Sequence, residues 1–134
     1  MEKGDLNARI VELFDRTMLT YKVDDDGDIY ISEGVSFPGW VRVSDDGRLI
    51  KIFTFVRFKN RENVDENAAN KLVNRINSTY MPNSVYHKDG SLWSTYYLGC
   101  EDDFNEKNFI SMLRRSFESF IMAVKELDED SLVA

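Results

Sequence analysis

Three Asp-Gly dipeptides, Asp26-Gly27, Asp46-Gly47 and Asp89-Gly90, constrain the fold of this chain more than any other feature of its sequence. Each is flanked by short runs rich in β-branched and aromatic residues. An Asp-Gly pair suits a two-residue type I′ turn, because both central residues of that turn need positive φ angles, which Gly and Asp tolerate best. Each dipeptide therefore predicts a β-hairpin. The strands are expected at residues 21–24 and 28–32, 40–44 and 48–58, and 84–88 and 91–98.

Two helices are predicted before and between these hairpins. The first follows Asp5, a candidate N-cap, and its apolar residues recur at helical spacing as far as Met18. The second follows Asp65, another candidate N-cap, and its apolar side runs to Tyr80. Pro82 should end this helix, because the residue before a proline avoids the helical region.

The longest and most apolar predicted helix runs from about Asn105 to Leu127 and is expected to pack across the sheet. Residues 128–134 read as a frayed acidic tail. The order helix, four strands, helix, two strands, helix predicts an α+β fold, and the adjacent hairpins predict a largely antiparallel sheet. Residues 1–134 contain no linker long enough to separate two domains, so a single domain is expected.

The charge and the cysteine content argue against several classes of function. Lys and Arg number 17 against 24 Asp and Glu, which gives a net charge of −7 and makes nucleic acid an unfavourable partner. No apolar stretch approaches the roughly 20 residues that a membrane-spanning helix needs. The N-terminus lacks the pattern of a secretion signal, and Cys100, the single cysteine, cannot form an intramolecular disulfide. A cytoplasmic protein without a membrane partner is therefore expected.

The hairpin registers divide the predicted sheet into an aliphatic and an aromatic side. A two-residue turn at Asp46-Gly47 places Val43 opposite Ile50, and the turn at Asp89-Gly90 places His87 opposite Leu92. The aliphatic side is expected to carry the first and third helices. The other side holds the aromatic residues Trp40, Phe53, Phe55, Tyr86, Trp93 and Tyr97, interspersed with Arg42, Lys51 and Arg57.

Two interpretations of this aromatic side remain open at the level of the sequence. In one, the second helix or the twist of the sheet itself covers the aromatic residues. In the other, part of this side forms a protein-binding or dimerisation surface, because Trp, Tyr and Arg are enriched at interface hot spots. The second interpretation makes the six aromatic residues the candidate protein-binding site.

No catalytic, cofactor-binding or metal-ligating residue is assigned from the sequence. Residues 22–33 resemble a calcium-binding EF-hand loop in part, but the first ligand position holds Lys22, and a hairpin turn explains the same residues. The only histidine is His87, which is expected opposite Leu92. Cys100 lies eight residues beyond Leu92, which is about 26 Å along an extended strand at roughly 3.3 Å per residue. A Cys-His dyad is therefore not expected. One His and one Cys are also too few ligands for zinc.

The order and spacing of these elements resemble the YbjN family, whose members are described as bacterial sensory transduction regulators. The resemblance is carried by the Asp-Gly-rich residues 24–31, by Leu72-Val73-Asn74-Arg75-Ile76-Asn77 in the second helix, and by the hairpin at 85–98 leading into the helix at 109–127. It covers roughly residues 5–127. It implies a fold similar to that of the class I type III secretion chaperones.

The resemblance also implies a bacterial, cytoplasmic, acidic and often dimeric domain that binds protein segments, with no catalytic residues to transfer. Together with the aromatic side, it predicts a non-catalytic protein-binding module, chaperone-like or regulatory, that holds a protein segment on a sheet face. The expected partners are a protein or effector segment and a second copy of the chain, and no cofactor is expected. The alternative is a small-molecule-responsive regulatory domain in bacterial signal transduction, with the ligand held between the sheet and a helix.

Overall fold

The computed structural model describes residues 2–79, 81–100 and 103–134, and its three helices and six strands follow the predicted order. The helices are α1 (Lys3–Arg16), α2 (Glu66–Asn77) and α3 (Glu106–Leu127). The strands are β1 (Thr20–Val23), β2 (Ile29–Glu33), β3 (Gly39–Val43), β4 (Leu49–Arg57), β5 (Ser84–Lys88) and β6 (Ser91–Gly99). Tyr80, predicted on the second helix, lies outside the described residues.

The six strands form one sheet in the order β1-β2-β3-β4-β6-β5, and every neighbouring pair is antiparallel. Strands β4 and β6, of 9 residues each, pair along their whole length at the centre. The register expected from the turns is confirmed, because Val43 pairs with Ile50 and His87 pairs with Leu92. The α+β class and the antiparallel sheet are confirmed as well.

The third Asp-Gly turn has the type I′ conformation, whereas the first two, for which that conformation was predicted, do not. Asp89 and Gly90 both have positive φ angles, of 53° and 74°. At Asp26-Gly27 and Asp46-Gly47 the glycine has a positive φ angle but the aspartate does not. The prediction of type I′ turns at these two positions is therefore wrong, although each position does connect two strands.

Aspartate side chains explain the different conformation of these two turns. The Asp24 carboxylate accepts hydrogen bonds from the backbone N–H groups of Asp26 and Asp28, at 2.9 and 3.0 Å. The Asp46 carboxylate accepts from the N–H of Arg48 at 3.0 Å. Such bonds from a side chain to the backbone two residues away stabilise turns in which only the following glycine adopts the left-handed conformation.

The beginning of α2 is predicted correctly and the beginning of α1 is not. Asp65 is the N-cap of α2, and its carboxylate accepts from the N–H of Ala68 at 3.2 Å. Asp5 lies within the first turn of α1, whose N-cap is Glu2. A carboxylate in the first turn is favourable for the helix dipole, so the same residue type fits either position.

The helix ends also differ from the predictions. Met18 is not part of α1, because the helix ends at Arg16 and Met18 has a φ angle of 61° and is 86% exposed. Helix α2 ends at Asn77, five residues before Pro82, so the proline is not what ends the helix. The Ser78 hydroxyl donates to the carbonyl oxygen of Asn74 at 2.7 Å, and such local side-chain bonds compete with the helical pattern.

All three helices pack on the aliphatic face of the sheet. Helices α1 and α3 bury their apolar sides, including Phe14, Phe109 and Phe117, against the strands, and α2 packs over the end of the sheet formed by β5 and β6. The sheet residues beneath α1 and α3 are Ile29, Ile31, Val41, Val43, Ile50 and Ile52. The residues around α2 are Ala69, Leu72 and Ile76 of the helix itself, with Val85, Leu92 and Phe120.

The acidic tail at residues 128–134 folds back onto the end of β4, so the prediction of a frayed tail is wrong. Val133 forms an antiparallel bridge with Phe58, and the N–H of Lys59 donates to the carbonyl oxygen of Leu132 at 2.8 Å. The Asp128 carboxylate accepts from the N–H groups of Leu132 and Val133, at 2.8 and 2.9 Å. The strand end supplies the hydrogen-bonding partners that the tail sequence does not reveal.

Deleting residues 131–134 is expected to lower the free energy of unfolding by about 1–2 kcal/mol, because Leu132 and Val133 would lose their packing on Phe58. Urea denaturation followed by circular dichroism measures the change. The matched control is Asp130→Ser in the exposed part of the tail, which should change stability by less than about 0.5 kcal/mol. A deletion variant as stable as the full chain would show that the tail does not stabilise the fold.

Candidate functional site

The candidate site is the face of the sheet opposite the helices, here called the aromatic face. It comprises Tyr30, Trp40, Phe53, Phe55, Tyr86, Trp93 and Tyr97. Strand pairing places Tyr30, Trp40 and Phe53 in one row across β2, β3 and β4, and Phe55, Trp93 and Tyr86 in the next row across β4, β6 and β5. All six predicted residues lie on this face.

Tyr30 is the member of the aromatic face that the sequence analysis missed. It is flanked by the fully buried Ile29 and Ile31, so alternation along β2 directs Tyr30 to the opposite face. Its partner in the sheet is Trp40. The apolar-aromatic-apolar pattern of Ile29-Tyr30-Ile31 is the signal that could have identified it.

Helix α2 does not cover the aromatic face. Its buried residues Ala69, Leu72 and Ile76 pack in the same cluster as Val85 and Leu92, which point to the aliphatic face. His87, on that same aliphatic side of β5, lies 2.7 Å from the Asn70 side chain of α2. The part of the first interpretation in which the second helix covers the aromatic residues is therefore wrong.

The rings of the aromatic face form a continuous series of contacts across five strands. Tyr30 and Trp40 have ring centroids 4.8 Å apart, and Trp40 stacks on Phe55 at 5.4 Å with an interplanar angle of 16°. Phe55 then contacts Trp93 at 4.6 Å, and Trp93 stacks on Tyr86 at 6.5 Å. Offset contacts at these distances stabilise aromatic pairs by about 0.5–1.5 kcal/mol beyond their buried area, so the ring contacts stabilise this face of the sheet.

The side chains of the aromatic face differ in their exposure to solvent. Tyr97 is 57% exposed and Tyr86 is 39% exposed, whereas Phe53 is 8% exposed. Burial raises the pKa of the Tyr86 phenol, and the nearby Tyr97 adds to this effect. The indole N–H of Trp93 has no acceptor among the residues that the structure describes. A partner on this face would therefore meet ring edges and phenol groups at the margins.

Two cations lie over the ring of Phe53. The guanidinium carbon of Arg42 is 5.3 Å from the ring centroid, and the Lys51 ammonium is 4.9 Å from it. Arg42 also binds both carboxylate oxygens of the buried Asp28, at 2.9 and 2.6 Å, so its charge is compensated. Burial, and then the proximity of Arg42, lowers the pKa of Lys51. The cations and the rings thus form one surface.

His87 and Cys100 occupy different parts of the fold. His87 contacts Asn70 and lies 3.7 Å from the carboxylate of Glu66 on α2. Cys100 is buried in the cluster around α1, with its Sγ 3.4 Å from the carbonyl oxygen of Gly47. The two side chains face different elements, so the structure does not bring them together.

The calcium-like residues 22–33 form the hairpin of β1 and β2. Two of the carboxylates there bind protein groups, since Asp24 accepts from backbone N–H groups and Asp28 pairs with Arg42. The spacing of acidic residues is therefore explained by turn formation and by one ion pair. The described helices include none with the length and apolar character that crossing a bilayer requires.

Comparison with known proteins relates this fold to one family. The chain matches the YbjN family, described as "Putative bacterial sensory transduction regulator", over residues 7–129. The fold is similar to that of YbjN from E. coli, described as "a putative transcription regulator", with a TM-score of 0.75 and 15% identity over 96% of this chain and 94% of that one. It is also similar to an uncharacterized protein from Methanothermobacter thermautotrophicus, with a TM-score of 0.64 and 12% identity over 94% and 99% of the two chains. No curated protein sequence matches this chain. Since the family match covers most of its length, this protein belongs to the YbjN family.

Proposed function

We propose that this protein is a non-catalytic, chaperone-like or regulatory module that binds a protein segment on the aromatic face. The observation that carries the proposal is the uncovered aromatic series, which includes both of the chain's 2 tryptophans, Trp40 and Trp93. A buried second layer would normally cover so many large rings in one sheet. Trp, Tyr and Arg are also the residues that most often dominate binding energy at protein interfaces.

The dimensions of the aromatic face suit an extended segment. The ring contacts run across five neighbouring strands. At about 4.8 Å between strands, this distance is roughly 20 Å, the length of about six residues in extended conformation. A segment of that size could place alternate side chains against the rings and direct the others to solvent. We place this activity in the cytoplasm of a bacterium, as the single cysteine and the family suggest.

The test is a selection of peptides from a random display library on the immobilised protein, followed by titration of the selected peptides. We expect binding to change the tryptophan fluorescence, because both indoles lie on the aromatic face. The double variant Trp40→Ser with Tyr97→Ser should bind at least about tenfold more weakly, since hot-spot side chains each contribute more than about 1 kcal/mol. Thermal unfolding verifies that the variant is folded, and its two residues are chosen because neither is fully buried.

The matched control is the double variant Met18→Ser with Met122→Ser, which removes two exposed apolar side chains outside the aromatic face. Its affinity for the selected peptides should equal that of the wild type. The proposal fails if the library yields no peptide that binds, or if the Trp40→Ser, Tyr97→Ser variant binds as tightly as the wild type. The variant Phe53→Ser is a less direct test, because Phe53 is 8% exposed and supports the sheet as well.

The small-molecule alternative would use a pocket between the end of β4, the start of α2 and the C-terminal tail. Its volume is about 190 Å³, and Phe58, Asn63, Val64 and Leu132 are among its lining residues. Ligand sites commonly enclose about 300–1,000 Å³, so this pocket would hold only a small ligand. Protein binding on the aromatic face is therefore the function that the geometry supports better.

A further inference from the structure

A small pocket lies on the aromatic face beside the series of rings. Arg42, Lys51 and Tyr97 are neighbours in one row across β3, β4 and β6. Together with Ser44 and Leu49 they line a pocket of about 120 Å³. The pocket is therefore bounded by two cations, one phenol and the side chain of a leucine.

Lys51 differs from Arg42 in having no carboxylate at ion-pair distance among residues 2–79, 81–100 and 103–134, although Asp28 lies near enough to raise the pKa of Lys51 slightly against the effects of burial and Arg42. Arg42 binds both carboxylate oxygens of Asp28. Lys51 is partly buried, and that burial lowers its pKa. Removing an ammonium group from water without pairing it is unfavourable, and a bound carboxylate would relieve this cost.

We propose that this pocket receives the carboxylate of an Asp or Glu in the bound protein segment, with Lys51 as its ion-pair partner. The inference rests on the proposed function and specifies the partner, which is an acidic segment whose apolar or aromatic side chains contact the neighbouring rings. Tyr97, which is 57% exposed, lines the same pocket and can donate its hydroxyl hydrogen to the second carboxylate oxygen.

The charge distribution of the molecule supports an acidic partner. Five cations occupy strand positions on this face, and Asp28, which immediately precedes β2, pairs with one of them, Arg42. The chain as a whole has a net charge of −7, so this face has the opposite sign to the rest of the protein. Complementary charge accelerates association and selects against partners of the wrong sign. The five cations are Lys22, Arg42, Lys51, Arg57 and Lys88.

The same charges argue against a second copy of the chain on this face. A two-fold dimer buries the same surface of both copies, so it would bring together two faces that each carry four cations in excess of the Arg42–Asp28 pair. We therefore infer that a homodimer, which the family resemblance implies, would use another surface. Light scattering of the variant Lys51→Glu would show an unchanged oligomeric state if this is correct, and a change in oligomeric state would contradict it.

The position of the acidic turns favours a peptide over single-stranded nucleic acid. The turn at residues 24–28 and the turn at 45–48 lie at the same end of the sheet as the row of Arg42, Lys51 and Tyr97. A nucleic acid strand has one phosphate per nucleotide and needs a continuous path of cations. Asp24, Asp26 and Asp46 lie at this end of the sheet and would repel a chain of phosphates, whereas a single carboxylate needs only Lys51.

The test compares peptide selection on the wild type with selection on Lys51→Gln and Lys51→Glu. We expect an Asp or Glu at one peptide position with the wild type, no preference there with Lys51→Gln, and Lys or Arg with Lys51→Glu. For one selected peptide, replacing its Glu by Gln should weaken binding to the wild type about tenfold and binding to Lys51→Gln less than about twofold. Raising the salt concentration should reduce this difference.

The matched control is Lys71→Glu, which makes the same charge change on an exposed position of α2 and should leave the selected sequences unchanged. Selected peptides that depend on Trp40 and Tyr97 but show no acidic preference would overturn this inference and leave the proposed function intact. A library that yields no binder would overturn both. Binding of a single-stranded oligothymidylate that depends on Trp40, without peptide binding, would replace the acidic segment with a nucleic acid.

Discussion

Replacing Phe117 by alanine is expected to lower the free energy of unfolding by about 3–5 kcal/mol, the range found for large buried aromatic residues. Phe117 is in the middle of α3, is 0% exposed, and belongs to the cluster that joins α1, α3 and the sheet. Its removal takes away apolar contacts and leaves a cavity that the rigid strands beneath cannot close. The effect follows from the packing of α3 on the aliphatic face.

Urea denaturation, with the slope of the transition compared between variants, measures this loss. The matched control is Met122→Ala on the same helix, whose side chain is 51% exposed and whose substitution should change stability by less than about 0.5 kcal/mol. An equal effect of the two substitutions would mean that α3 does not pack on the sheet through Phe117.

Replacing Gly39 by alanine is expected to destabilise the protein by about 1–3 kcal/mol, because the new methyl group has no space. A Cβ atom at Gly39 would lie 2.3 Å from the Cζ atom and 2.4 Å from the Cε1 atom of Phe117. Gly39 is at the start of β3, at a position whose side chain would point to the aliphatic face. The ring of Phe117 fills the space that the glycine leaves.

A double-mutant cycle tests this contact directly. Phe117→Leu removes the outer ring atoms, so Gly39→Ala should cost less in that background than in the wild type. We expect a coupling of about 0.5–3 kcal/mol, the range for residues in contact. Additive effects of the two substitutions would contradict the packing of Phe117 over Gly39. The matched control is Gly99→Ala, where a Cβ would meet no atom within 4 Å.

Much of the fold could be predicted because the signals are local. Asp-Gly dipeptides mark chain reversal, and alternation along the strands separates Val43 and Ile50 from Trp40 and Phe53. Helix α3 was recognisable from apolar residues at steps of three and four, and Asn105 caps it, accepting from the N–H of Asn108 at 2.9 Å. These features depend on neighbouring residues alone.

The wrong predictions have two physical causes, one in a local side-chain hydrogen bond and the other in contacts between distant parts of the chain. Asp26 does not adopt a positive φ angle, because the Asp24 carboxylate accepts a hydrogen bond from the Asp26 N–H and this bond competes with the type I′ turn. The acidic tail at 128–134 has the composition of a disordered end, but the strand end near Phe58 offers it backbone partners. The pocket around Lys51 likewise needs Arg42, Tyr97 and Leu49 from three strands.

The three Asp-Gly turns and the alternation along the strands are determined by the sequence itself, and with them the division of the sheet into an aliphatic and an aromatic side. The sequence could not decide which side the second helix covers. Periodicity shows that Ala69, Leu72 and Ile76 form an apolar stripe, but any sufficiently apolar surface could bury it. Only the tertiary structure decided this, because Phe120 of α3 together with Val85 and Leu92 completes a packed cluster around that stripe. As a result, Trp40, Trp93 and their neighbours stay uncovered on the other face.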